Sequence, residues 1–158
     1  MKSFFIQIKG VVQGVGFRPF VYTLALKYDI KGWVNNDEKG VNILLYACEE
    51  NIRKFINELK SNPPILAKID SINIEEITEI KEYKTFEIIQ SESSKNKSTI
   101  ISPDIAICDD CLKDINDMSN FRYNYSLTNC TNCGPRYSII KTVPYDRCNT
   151  SMRSFNLC

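Results

Sequence analysis

The sequence predicts an α+β fold, two helices on one face of an antiparallel sheet, followed by a small module held together by metal. Three observations predict it. Apolar periods follow one another as strand, helix, strand, strand, helix, strand through the first 90 residues. A small polar run, SESSKNKS at 91–98, then breaks that pattern. Beyond it, four of the seven cysteines fall into two C-x2-C pairs. The expected organisation is a domain over 1–90, a linker over 91–100 and a second module over 101–158.

Each element has its own signal. Phe4 to Lys9 alternate apolar and polar imperfectly and end at Gly10, as a strand entering a loop does. Phe20, Val21, Leu24 and Ala25, with Tyr28 one turn on, have the spacing of an amphipathic helix, and Pro19 fits its first turn. IKGWVNN and GVNILLYA are β-rich runs around DEK and Gly40, which predicts a hairpin. In ENIRKFINELKSNPP, Ile52, Phe55, Ile56 and Leu59 share one helical face, and Pro63 and Pro64 stop the helix. AKIDSINIEEI and KTFEIIQ supply the last two strands. The order is βαββαβ, that of a ferredoxin-like sandwich, with the final strand available to extend an edge. Phe17, Trp33 and the thiol of Cys48 are expected in the core.

Composition narrows the function. Apolar content of 43% and charged content of 25% are those of a soluble globular chain. A net charge of +1 gives no electrostatic case for a nucleic-acid or membrane partner. No apolar run reaches the roughly 18 residues that span a bilayer, and MKSFFIQIKG is too short in its apolar part for a signal peptide. A cytoplasmic location is expected, where cysteines serve metal or redox chemistry more than disulfides. The chain has no histidine, which excludes Ser-His-Asp and Cys-His nucleophile schemes, H-E-x-x-H sites and Cys2His2 fingers.

The chemistry-bearing stretch is VVQGVGFRPFV, Val11 to Val21. It lacks the Lys-Ser/Thr ending of a Walker A loop, and GVG alone is no dinucleotide fingerprint. Its parts still make an anion cradle. Gly14 and Gly16 let backbone N–H groups turn inward, the following helix offers its positive end, and Arg18 supplies a planar fork matched to phosphate oxygens. The plain alternative is a glycine turn with Arg18 on the surface, and for Asn36 a turn-forming residue before the hairpin.

GVVQGVGFR together with GWVNN resembles the signature pair of the acylphosphatases. That family has the ferredoxin-like fold and cleaves carboxyl phosphates by attack of water on phosphorus. The resemblance implies that Gln13, Gly14, Val15, Gly16, Phe17 and Arg18 bind the phosphoryl group. It makes Arg18 and Asn36 the catalytic residues, Asn36 orienting the water. An acyl phosphate has a good leaving group and its own oxygens accept a proton, so positioning and charge stabilisation suffice without histidine.

In the second module, Cys108 and Cys111 are separated from Cys130 and Cys133 by eighteen residues, the spacing of a zinc ribbon or knuckle. Four thiolates close a tetrahedral structural site with no open position for catalysis. SPDIAICDDCLKDI, RYNYSLTNCTNCGPRYSII and VPYDRCNTSM closely resemble the zinc-finger region of HypF-type carbamoyltransferases, maturation factors for nickel-iron hydrogenases. In that family an acylphosphatase-like domain precedes four C-x2-C pairs and then nucleotide-binding and transfer domains. Cys158 stands where the third pair begins, which adds it to the metal ligands Cys108, Cys111, Cys130 and Cys133. The resemblance therefore implies an N-terminal fragment that takes carbamoyl phosphate. ATP and transfer to the partner HypE belong to domains absent from the fragment. Two questions stay open: whether the two pairs share one zinc or each needs a partner from further pairs, and whether Cys148 is a stray thiol or a substitute ligand. The alternative function is a non-catalytic module that binds acyl phosphate or a protein partner.

Overall fold

A computed structural model describes residues 1–78, 82–91, 106–130, 133–134, 137–142 and 146–155. The first region is built from β1 (Lys2–Val11), α1 (Phe17–Lys27), β2 (Lys31–Asp37), β3 (Gly40–Ala47), α2 (Glu49–Ser61), β4 (Lys68–Ile77) and β5 (Phe86–Ile88). Its sheet has the order β4-β1-β3-β2-β5. The four long strands pair antiparallel, as the βαββαβ pattern requires. The sheet departs from the all-antiparallel expectation at one edge. There β5 runs parallel to β2 and opposite β4 across the sheet, which makes the sheet mixed.

Side-chain alternation decides what the sheet buries. Ile6 and Ile8 of β1, Val34 of β2, and Val41, Ile43 and Leu45 of β3 are buried on the face that receives the helices. Val21, Leu24 and Ala25 of α1 and Ile52, Phe55 and Leu59 of α2 close over them. Each full burial of such a side chain stabilises the fold by about 1.5–3 kcal/mol. Phe17 joins this core. Trp33 does not: β2 alternation sends it to the other face, half-buried, edge-on to Phe5 with ring centroids 6.3 Å apart. Cys48 is also displaced from its expected place. It is exposed at the N-cap of α2, because the chain leaves β3 at Ala47 and has already turned out of the sheet.

The second region contributes α3 (Asp109–Asn116), two short 3-10 turns at Tyr137–Ile139 and Arg147–Asn149, and a bridge between Ile140 and Thr150. No helix among the described residues is long and apolar enough to cross a membrane. Most of the 91–100 linker and Cys158 lie outside the described residues.

Candidate functional site

The site begins where β1 ends. A register shift between Lys9 and Gly10 bends the strand, and Val12 and Val15 anchor the loop that follows by burying their side chains in the core. Between and after these anchors Gly14 and Gly16 adopt φ of 73° and 74°, the left-handed region in which a Cβ is costly. The alternation of anchored valines and left-handed glycines turns the loop's backbone inward. Gly16 also forms the N-cap of α1, which carries no side-chain cap and no acidic residue in its first turn. The positive end of α1 is thus left open toward the loop.

The loop is lashed to the β2–β3 hairpin. Gln13 Nε2 donates to the carbonyls of Asp37 at 2.6 Å and Gly40 at 2.8 Å. Asp37 Oδ1 in turn accepts from the amides of Lys39 and Gly40, and its Oδ2 accepts from Asn42 Nδ2. Gln13, expected from sequence to contact phosphate, spends its amide nitrogen as this brace. The brace brings Asn36, next to Asp37, beside the loop. Strand alternation separates the two asparagines of β2: Asn35 pairs across from Asn42, whereas Asn36 pairs with Val41 on the helix-covered face. Asn36 is 1% exposed, and its Oδ1 has no hydrogen-bond partner among the described residues. Ser3 Oγ and the side-chain amide of Asn35 are also without a partner among the described residues, but of these side chains Asn36 is the one that lines a cavity, where a ligand can supply the bond.

These residues meet at a cavity of about 220 Å³. Gln13, Gly14, Gly16, Phe17, Arg18 and Asn36 line it from the first region, and Asn129, Cys130 and Gly134 line it from the second. Val15, also expected at the phosphate, is buried in the core and is not among the described lining residues. Arg18 Nη1 donates to Ser91 Oγ at 3.3 Å and to Asp146 Oδ1 at 2.7 Å. Neither the roof from the second region nor Asp146 has a signal in the sequence that links it to the loop. At Gly134 the backbones of the two regions approach each other closely. Gly134 has φ 67°, and a Cβ there would stand 1.9 Å from the carbonyl oxygen of Gly14.

The second constellation is the cysteine cluster. Cys108 is the N-cap of α3 and Cys111 sits one turn inside it, while Gly134 N–H, next to Cys133, donates to Cys130 O. All four Sγ atoms lie within 4.8 Å of one another. The Cys108–Cys130, Cys111–Cys133 and Cys130–Cys133 separations are 3.4, 3.7 and 4.0 Å. A zinc with bonds of about 2.3 Å to four thiolates in a tetrahedron requires sulfur separations of about 3.8 Å, so the set fits that metal. The two pairs close on each other among the described residues, and Cys158 lies outside these. Cys148 is exposed and outside the cluster. Burial pushes the Cys111 thiol up. Burial acts the same way on Cys133, but hydrogen bonds from backbone N–H groups of Cys130 and Cys108 outweigh it and draw this thiol down to about 6.

Residues 4–88 match the family model for acylphosphatase, more than half of the chain. The chain belongs to the acylphosphatase family. An acylphosphatase of Listeria monocytogenes is 41% identical over 85 residues, which cover 91% of that protein and 53% of this chain. To this acylphosphatase domain the chain adds a match to the HypF finger over residues 107–140. The probable carbamoyltransferase HypF of Methanocaldococcus jannaschii is 53% identical over 145 residues, 91% of this chain and 19% of that protein. A solved structure of full-length HypF in the phosphate- and nucleotide-bound form superposes with a TM-score of 0.94 at 48% identity, covering 99% of this chain and 21% of that one. The chain thus spans about a fifth of the length of the HypF proteins it matches.

Proposed function

We propose that the acylphosphatase domain, with boundaries at 1–90, hydrolyses carbamoyl phosphate, and that the module over 101–158 holds a structural zinc through Cys108, Cys111, Cys130 and Cys133. The observation that carries the first half is the meeting of Arg18, two left-handed glycines and the unpartnered Oδ1 of buried Asn36 on one cavity. The Arg18 guanidinium and the inward amides of the loop hold the phosphoryl oxygens and stabilise charge that builds on them. Asn36 Oδ1 accepts a hydrogen bond from water and holds it for attack on phosphorus. The phosphorus–oxygen bond to the acyl group breaks, carbamate leaves, and the water's proton passes to an oxygen of the substrate. No side-chain base is needed. Zinc, when bound, cross-links the second module and takes no part in this step.

In a longer protein of the HypF kind the carbamate would be adenylated with ATP and the carbamoyl group passed to HypE. The solved full-length HypF structure is in a phosphate- and nucleotide-bound form, which agrees with a phosphate site in such a protein. The test is phosphate release from carbamoyl phosphate and acetyl phosphate. Arg18→Ala is expected to lose both binding and hydrolysis, and Asn36→Ala to keep binding while losing about 10²-fold or more in kcat. Hydrolysis by Arg18→Ala at the parent rate overturns the reading. Phosphate binding by the parent chain without turnover would make the domain an acyl-phosphate-binding module instead. Zinc is tested by native mass spectrometry, and a folded second module without metal would overturn that assignment.

A further inference from the structure

We propose that Asp146, carried by the second module, is a positioning residue for Arg18, so that the acyl-phosphate site is complete only when that module is folded against the loop. This rests on the reading of the loop as an acyl-phosphate site. The Asp146 carboxylate accepts from Arg18 Nη1 at 2.7 Å, across 128 positions of sequence, and both side chains are about four-fifths buried, at 18% and 20% exposure. Arg18 grows from the first turn of α1 on a flexible stem, and the bonds from Nη1 to Asp146 and Ser91 pin one corner of its guanidinium beside the loop.

Two features separate positioning from blockade. Arg18 lines the cavity, whereas Asp146 is not among its described lining residues, as a carboxylate that holds the guanidinium without filling the anion's space requires. Asp146 also stands at the N-cap of the Arg147–Asn149 turn yet makes no side-chain cap bond there, although aspartate is among the residues best suited to that bond. Its oxygen is directed to Arg18 instead. The close approach of Gly134 to Gly14, and the cavity wall formed by Asn129 and Cys130, keep the module seated where Asp146 reaches. Asp146 thereby has a role that its neighbourhood to the cysteines does not explain.

Simple electrostatics and positioning predict opposite signs. Removing a carboxylate beside an anion site raises the local positive potential, so charge alone predicts tighter phosphate binding in Asp146→Ala. Positioning predicts weaker binding. The experiment uses the zinc-loaded 158-residue chain, with KM and kcat for acetyl phosphate and the inhibition constant of inorganic phosphate, and zinc content as the check on the second module. Asp146→Ala should raise KM and the phosphate constant about tenfold with a much smaller change in kcat, and Asp146→Asn, which keeps an acceptor in place, should recover most of that loss. If the alanine variant loses zinc, Asp146→Leu, which fills the volume without an acceptor, is read by the same criterion. Phosphate binding as tight as the parent's or tighter in the zinc-retaining variant, or an asparagine variant that falls as far as alanine, overturns the proposal. A parent chain that Arg18→Ala impairs and Asp146→Ala does not would overturn this inference alone; a parent that neither binds phosphate nor turns over acyl phosphate would take the function with it.

Discussion

The two regions of this chain are held together by different physics. Among the described residues, the first buries eighteen apolar residues in one cluster between a sheet and two helices. In the second, the buried apolar side chains among the described residues are Cys111 and Cys133, both members of the metal cluster. Phe121, Tyr123, Tyr125 and Leu127 lie there exposed. A core of that size cannot offset chain entropy, and in the function proposed above a closed tetrathiolate site replaces it. One region is therefore specified by a distributed pattern that tolerates local change, the other by four atoms that do not.

The sharpest way to break the comparison is to remove the metal. Chelation, or Cys111→Ser, should withdraw on the order of 10 kcal/mol from the second region and abolish amide protection around α3, while the sheet keeps its own unfolding transition in hydrogen-exchange measurements. If both regions unfold together, the first depends on the second for more than its cavity roof. The converse change is Phe55→Ala at the fully buried centre of α2, which should cost about 3–5 kcal/mol in urea unfolding while the zinc content of the folded chain is unchanged. Smaller, and aimed at the seam, is Gly134→Ala. Its Cβ would meet Gly14 O and its φ is left-handed, so the roof should lift from the loop at a cost of about 1–3 kcal/mol, read as faster exchange of the Gly14 and Gly16 amides. The smallest effects belong to the exposed thiols. Cys48→Ser and Cys148→Ser should stay within about 0.5 kcal/mol of the parent, and neither should change zinc stoichiometry.

The first region was legible because its information is local. Strand alternation in β1, the i, i+3, i+4 spacing of Ile52, Phe55 and Ile56, and the glycine punctuation around Arg18 each report one element without reference to any other. The errors come where that locality fails. Trp33 was expected inside on hydrophobicity, but the two-residue period of β2 gives the inner face to Val34 and Asn36. Cys48 was expected inside on proximity to an apolar strand, but the element boundary falls just before it. The parallel partnership of β5 with β2 is likewise a matter of which edge the chain reaches.

The sequence by itself determined the element order, the glycine loop that leads to Arg18, and the paired cysteines, because periodicity, glycine punctuation and C-x2-C spacing are properties of short stretches. It left open which cysteine pairs close together, that Gln13 braces a hairpin, and that Asn129, Gly134 and Asp146 stand at the loop. Those facts are contacts across tens to more than a hundred positions. Only the tertiary structure decides them, because two segments far apart in the chain carry no mark of each other until the packing between them brings their atoms within bonding distance.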